Sequence, residues 1–290
     1  MIYTNLNRLV KISVQGRILH PGDESDFLVD DEGKAAVVPS SGGICYNVKV
    51  GQPCMDLAGD HIEPGVSTGG YHSEAAKKGY STYSCIGNDA IIVTGDAKGH
   101  IGFVTGKHDL DRVIIHFSEH TLNLLNLNDE ILIKAYGQGL ELLDYPDIHV
   151  MNIDPRLLIR FGIVERGGKL VLPVAKKIPA HLMGSGIGAG SVCRGDYDIM
   201  TQDQNAIKEH KLEDLRFGDI VLLEDCDNTY GRSYLAGAVT IGVVSHGNCI
   251  RPGHGPGVTT VLSCKKPLIE GVLYGGANIA ALHPMTEKSL

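Results

Sequence analysis

Imidazoles, carboxylates and thiols gather in two stretches that lie far apart in this chain. The first, "GDHIEPGVST", carries Asp60, His61 and Glu63 ahead of Pro64-Gly65, a pair suited to a tight turn. If residues 61 to 63 are extended, His61 and Glu63 share one face and Asp60 takes the other. The second, "SHGNCIRPGHGPGVTTVLSC", sets His246, Cys249, His254 and Cys264 around a loop rich in glycine and proline. Imidazole beside carboxylate can hold a divalent metal ion or work as an acid–base pair. The expected metal set is therefore Asp60, His61, Glu63, His246 and His254, with His61, Glu63 and His254 as the catalytic groups. The competing reading makes the first stretch a capped turn and the histidines structural. The thiols rank lower, because their spacing matches no familiar zinc finger or ribbon.

Three further stretches carry charge. "GDAKGHIGFVTGKHD" resembles a glycine-turned hairpin with a charged surface. Within it, Lys107-His108 sets a cation beside a histidine and is a candidate receiver of an anionic group. "LLEDCDNTYGRSY" places Glu224, Asp225 and Asp227 near Arg232, a further candidate ligand-binding residue, and "GDYDIM" adds Asp196 and Asp198. This set lacks the residue order of a calcium loop, and ion pairing in a solvated turn ranks ahead of it. In "AHLMGSGIGAG" the glycines alternate, so neither the dinucleotide fingerprint nor the P-loop spacing is present.

The elements that must position these residues are mainly strands. "AIIVTG", "RVIIHF", "EILIKAYG", "KLVLPVA", "DIVLLED", "AVTIGVVSH" and "GVTTVLS" are short, β-branched and bounded by turn residues. Helical periodicity is scarce. "STGGYHSEAAKKGY" has room for one or two turns, "DPRLLIRFGI" and "DQNAIKEHKLEDLR" for short helices, and Asp154-Pro155 fits a helix start. The expected fold class is mainly β and rich in β-barrel, in two domains with a few short helices. A boundary near "LLDYPDIHVMNIDP" divides a β-rich domain, 1–148, from a barrel-like domain, 149–290. "LNLNDEILIKAYGQG" and "DLRFGDIVLLEDCDNTYG" share a leucine, an aspartate turn, an apolar strand and a glycine-containing turn. "GGICYNVKVGQPCMDLAGDHIEPG" carries far more turn than regular structure, as ligand-bearing loops do.

Composition excludes several classes. The 290 residues are 43% hydrophobic and 21% charged with a net charge of −8, which suits a globular protein and weighs against nucleic acid as a partner. Five Phe, eleven Tyr and no Trp supply no recognisable stacking platform. The amino terminus lacks the apolar core of a signal peptide, and "LAGAVTIGVV" is too short to span a membrane. No membrane partner and a cytoplasmic location are expected. Seven cysteines without a C-x-x-C pair read as small buried hydrophobes of a reducing compartment.

The ordered series "DHIEPGVST", "GDAKG", "VTGKH", "IKAYGQGL", "NIDPRLL", "MGSGIG", "GDYDIM", "RFGDIVLLED", "YGRSY", "GAVTIGVVSH" and "GHGPGVTTVLS" resembles the prokaryotic domain-of-unknown-function family numbered 4438, over most of the chain. The resemblance implies a β-barrel-rich protein with distinct N- and C-terminal domains, and no activity. The chain departs from that pattern at Asp109, where the family tends to carry glycine. The added carboxylate weighs against anion reception by Lys107-His108.

The functional expectation is a metal-assisted enzyme that hydrolyses, or moves a proton on, a small polar metabolite. A divalent ion is its cofactor and a small molecule its partner. The alternative is a non-catalytic small-molecule binder or a homo-oligomeric structural barrel protein. The enzyme reading requires the residues near 61 and near 254 to meet in one cleft.

Overall fold

The computed structural model describes residues 2–22 and 27–285. In the first half, six strands close into an antiparallel barrel. Around it run Ile12–Ile18, Val66–Gly69, Arg112–His116, Ile101–His108, Asp89–Ile92 and Glu130–Ala135, and the last pairs back onto the first. The register from Ile12 opposite Ala135 to Arg17 opposite Glu130 closes the cylinder. Alternate residues point inward, so Ile18, Val66, Ala90, Val104, Val113, Ile115, Ile131 and Ile133 fill the interior. Burying each aliphatic chain contributes about 1.5–3 kcal/mol.

The second half carries two sheets. One is three-stranded, Val164–Arg166, Lys169–Val174 and Ile269–Leu273. The other runs Lys176–Ile178, Ile220–Asp227, Ser233–Val244, Gly257–Cys264 and Tyr197–Asp198, and His149–Val150 also pairs with Gly257–Cys264. Among the described residues this larger sheet does not close on itself. The mainly β expectation therefore holds, with one closed barrel, in the first half, among the described residues, and the seven strand-like stretches all contain strands.

The helices are short, with one correction. The stretch expected to hold one or two turns forms a ten-residue helix, Glu74–Tyr83. Ser73 caps it by accepting the Ala76 N–H at 3.1 Å, and the buried Tyr80 ring anchors it through a 2.8 Å hydrogen bond between its hydroxyl and that of Thr68. Tertiary anchoring overrides the glycine at position 79. Asp154 caps Pro155–Leu158 as expected, accepting the Arg156 N–H at 2.8 Å. The two similar stretches make the same reciprocal turn. Asp129 accepts the Asn126 N–H at 2.8 Å and Asp219 that of Arg216 at 2.9 Å, while each aspartate N–H donates back to its partner's carbonyl.

The turn-rich segment before residue 62 has a specific task. It leaves the barrel and lies on the second half, where Val48, Cys54 and Ile62 pack with Phe217, Val221 and Val244. Its backbone is satisfied there: the Gly51 N–H donates to the Phe217 carbonyl at 2.8 Å and the Cys54 N–H to that of Leu215 at 3.0 Å. This excursion delivers residues 60–63 to the seam between the halves.

Candidate metal centre

The seam is close-packed. The Lys107 N–H donates to Thr259 Oγ1 at 3.0 Å, joining the barrel strand Ile101–His108 to Gly257–Cys264 of the second half. A Cβ at Gly106 would lie 2.6 Å from the Ser245 side chain, so glycine is needed for the approach. The loops of the two chemistry-bearing stretches are also bonded directly. His61 N–H donates to the Asn248 carbonyl at 3.0 Å, and Gly247 N–H to that of Ile62 at 2.8 Å.

Four imidazoles meet at this seam. The His61 ring centroid lies 5.3 Å from that of His108, 5.0 Å from His246 and 5.3 Å from His254, and His108 lies 4.1 Å from His246. Each ring has an oxygen partner. His61 Nδ1 is 2.9 Å from Asp60 Oδ2, His108 Nδ1 is 2.7 Å from Glu63 Oε1, and His254 Nδ1 is 3.0 Å from Asp198 Oδ2. His246 Nδ1 donates to the Gly247 carbonyl at 2.9 Å, which turns Nε2 toward Asp196 Oδ2 at 2.5 Å.

Residues 60 to 63 are not extended. His61 adopts a left-handed φ of 50°, so it turns toward Asp60 while Glu63 runs to a different ring. Glu63 is buried and fully engaged. It accepts from His108, from the Gly42 N–H at 2.9 Å and from the Ser67 hydroxyl, with Arg112 Nη1 at 3.7 Å. Asp196, just before the strand Tyr197–Asp198, and Asp198 within it flank Tyr197, so both carboxylates face the cleft while the tyrosine packs in the core. Gly257 lies beneath them. A Cβ there would come within 1.9 Å of Asp196 Oδ2 and 2.2 Å of His246 Nε2.

Charge in this cluster is set by pairing. Burial disfavours protonation of His61, but the Asp198 and Asp60 carboxylates outweigh it and lift the ring to about 12. Burial likewise opposes a charged His246, yet Asp196 and Asp198 raise it to about 10. Burial pushes Glu63 upward, and the hydrogen bond from His108, the Arg112 charge and the Ser67 hydroxyl more than reverse that, to about 2. Asp198 and Asp60 are held below the ordinary carboxylate range for the same reason: imidazole partners overcome burial. Such a site strongly favours positive charge at its centre.

Two groups have metal-ligand spacing. One donor atom each from His108, Asp196 and His246 lie within 4.8 Å of one another, and so do one each from His61, Cys249 and His254. In the first group Glu63 holds Nδ1 of His108 and the Gly247 carbonyl holds Nδ1 of His246, leaving Nε2 of both rings as donors. Outward anchoring of this kind fixes ring orientation and tautomer in protein metal sites.

The cleft over this cluster encloses about 900 Å³ and is lined on one side by Asp60, His61, His108, Asp196, Asp198 and His254. Lys77, Arg112, Arg232 and Arg251 supply cations along its walls. The structure brings Asp60, His61, His246, His254, His108 and Arg232 of the expected set to the seam, and Glu63 acts there through His108. Lys107 is not brought in. Its ammonium points away from the cleft, donating to Asn152 Oδ1 at 2.7 Å and to the Cys193 carbonyl, and burial pushes it down to about 8. Asp109 pairs with Arg112 Nε at 3.3 Å. Sequence reasoning undervalued Asp196 and Asp198. The alternation in "DYD" was the available signal, since an extended pair puts both carboxylates on one face.

Fold and cleft together define a two-part β protein with a histidine–carboxylate site at the seam of its halves. The chain belongs to the family described as domain of unknown function DUF4438. Its N-terminal model matches residues 27–159 and its C-terminal model residues 160–283. The chain is also similar to the solved crystal structure of TM1086, with 49% sequence identity and a TM-score of 0.92, over 96% of this chain and 98% of that one. No curated protein matches. Among the described residues no helix is long and apolar enough to cross a membrane.

Proposed function

We propose that this protein is a metal-dependent enzyme that hydrolyses, or transfers a proton on, a small polar substrate bound at the seam. The observation that carries the reading is the convergence of His108, Asp196 and His246 with both outward imidazole nitrogens anchored. Two histidines and one carboxylate suit a divalent transition ion and leave coordination positions open. An ion held there supplies Lewis acidity and a water acidified toward neutral pH.

The chain's own residues supply the rest. The Asp60–His61 and Asp198–His254 pairs border the same cleft and can hold or deliver a proton at the ring nitrogens. Arg112, Arg232 and Arg251 on the walls favour a substrate with a carboxylate or phosphate group. The cleft volume fits a metabolite rather than a polymer. Seven unpaired cysteines support a cytoplasmic location.

The test is elemental analysis of untagged protein, followed by chelation and reloading with zinc, manganese or iron(II). The wild type is expected to take up metal with retention of fold, and Asp196→Asn to lose it. Equal uptake by both proteins, or none by the wild type, would remove the reading.

A non-catalytic anion binder is the second reading. It is favoured by Arg112 Nη1 and Arg232 Nε, buried atoms without a hydrogen-bond partner. Thermal stabilisation of metal-free protein by phosphate or oxalate, undiminished in Asp196→Asn, would select it.

A further inference from the structure

We infer that the cleft holds a second, thiophilic metal ion, bound by His61, Cys249 and His254 and joined to the first through the carboxylate of Asp198. This inference rests on the first site proposed above, adds to it a nuclearity and a ligand chemistry, and takes His61 and His254 as ligands in place of the proton-carrying role given to them there.

The second donor group is as well built as the first. Donor atoms of its three residues lie within 4.8 Å of one another. His61 comes from the excursion before the barrel strand Val66–Gly69, and the other two from the loop before Gly257–Cys264. Asp60 locks the two loops together: its Oδ2 holds His61 Nδ1 at 2.9 Å while its Oδ1 accepts the Ile250 N–H at 3.2 Å. Cys249 is placed as a ligand rather than as a core residue. It is buried, and its Sγ is held in place by accepting the Arg251 N–H at 3.2 Å. Cys54, Cys226 and Cys264 instead pack into hydrophobic clusters.

Asp198 spans the two groups. Its Oδ1 lies 3.6 Å from His246 Nε2, and its Oδ2 lies 3.0 Å from His254 Nδ1 and 3.8 Å from His61 Nε2. One oxygen faces each donor set, the arrangement a bridging carboxylate requires. Charge agrees: Asp60, Glu63, Asp196, Asp198 and a Cys249 thiolate make five negative groups around the cluster, Arg112 beside Glu63 offsets one, and two divalent cations match the remaining four. The donors also differ in kind. Two imidazoles and a carboxylate accept zinc, manganese or iron(II), whereas two imidazoles and a thiolate select zinc, cobalt or copper over magnesium and calcium. Paired ions of this type activate a water and hold an oxyanion on the same substrate.

The experiment is titration of chelator-stripped, thiol-reduced full-length protein with cobalt(II), read by optical absorption and by bound metal per chain. The wild type is expected to bind two ions and to develop a near-ultraviolet thiolate-to-cobalt band alongside visible ligand-field bands. Cys249→Ser should lose the thiolate band and one ion, His254→Ala should lose the same ion, and Asp196→Asn should lose the other while keeping the thiolate band. Circular dichroism checks that each variant is folded. A single bound ion with no thiolate band would overturn the second site while leaving the first intact. Two ions retained in Cys249→Ser would overturn the thiolate assignment. No cobalt bound by folded wild type would overturn both sites.

Discussion

Buried histidines in this molecule behave in opposite ways in two places. At the seam, His246 is 0% exposed and yet is lifted to about 10. Where barrel strands pack on the second half beside Phe103, His116 and His283 are 8% and 6% exposed and are pushed down to about 4. Burial acts on all three in the same direction, so burial does not separate them. The partners do. His246 meets Asp196 and Asp198, while His116 and His283 pack against Phe103, with ring centroids at 5.3 Å and 3.7 Å. Carboxylates turn an imidazole into a cation or a metal ligand, whereas an aromatic neighbour keeps it a neutral packing group.

The comparison breaks most severely at Asp196. In Asp196→Asn the His246 ring loses its principal carboxylate and keeps only Asp198, so its raised value should fall, and metal affinity should drop by about 100-fold or more, measured by competition with a chelating dye. In metal-free wild type the sign of the pH effect follows from the raised rings. Stability from His61 and His246 is fully present below their ordinary value of 6.5 and is lost as pH climbs through about 10 for His246 and about 12 for His61. A falling thermal midpoint from pH 7 to pH 10, flattened by loading with zinc, is the expected record.

The neutral pair should fail at the other end of the scale. Because His116 and His283 have folded values near 4 against an ordinary 6.5, stability is lost as pH falls through that interval, on the order of 3 kcal/mol from each ring at the low end. Urea midpoints at pH 7 and pH 5 should converge in His116→Leu relative to the wild type. An unchanged acid slope in that variant would contradict the assignment.

Adjacent residues on one strand sharpen the same contrast. Lys107 and His108 face opposite ways, the first into a polar cage and the second into the cleft. Lys107→Met should cost about 1–3 kcal/mol, because Asn152 loses a hydrogen-bond partner in a buried setting, with metal uptake nearly unchanged. A smaller effect on metal binding than at Asp196 is expected at Gly257, where Gly257→Ala should displace the Asp196–His246 pair, weaken metal binding by about tenfold and lower the thermal midpoint of the metal-free protein.

Much of this architecture was legible along the chain. Alternation in "RVIIHF" and "EILIKAYG" is a local property, and both stretches are barrel strands with inward aliphatic faces. The Asp154-Pro155 start, the aspartate turns at 129 and 219 and the family motifs are equally local. The loops with chemistry were visible too, from their crowding of ionisable groups between glycines. Less visible was the role of each group. Glu63 looked like a partner of His61 and is the anchor of His108, because the left-handed backbone at His61 breaks the alternation. The length of Glu74–Tyr83 escaped periodicity for a similar reason: a single buried tyrosine holds it.

Residue order by itself determined the strands, the turns and the pool of candidate ligands, since periodicity, capping and turn chemistry act over a few neighbouring residues. Tertiary structure alone decided which carboxylate meets which imidazole. That choice depends on the excursion of residues 48–62 across the second half, on Gly106 letting the seam close and on Gly257 leaving room for the Asp196–His246 pair. A charge is set by what lies within a few ångströms in space, and no spacing along the chain specifies that.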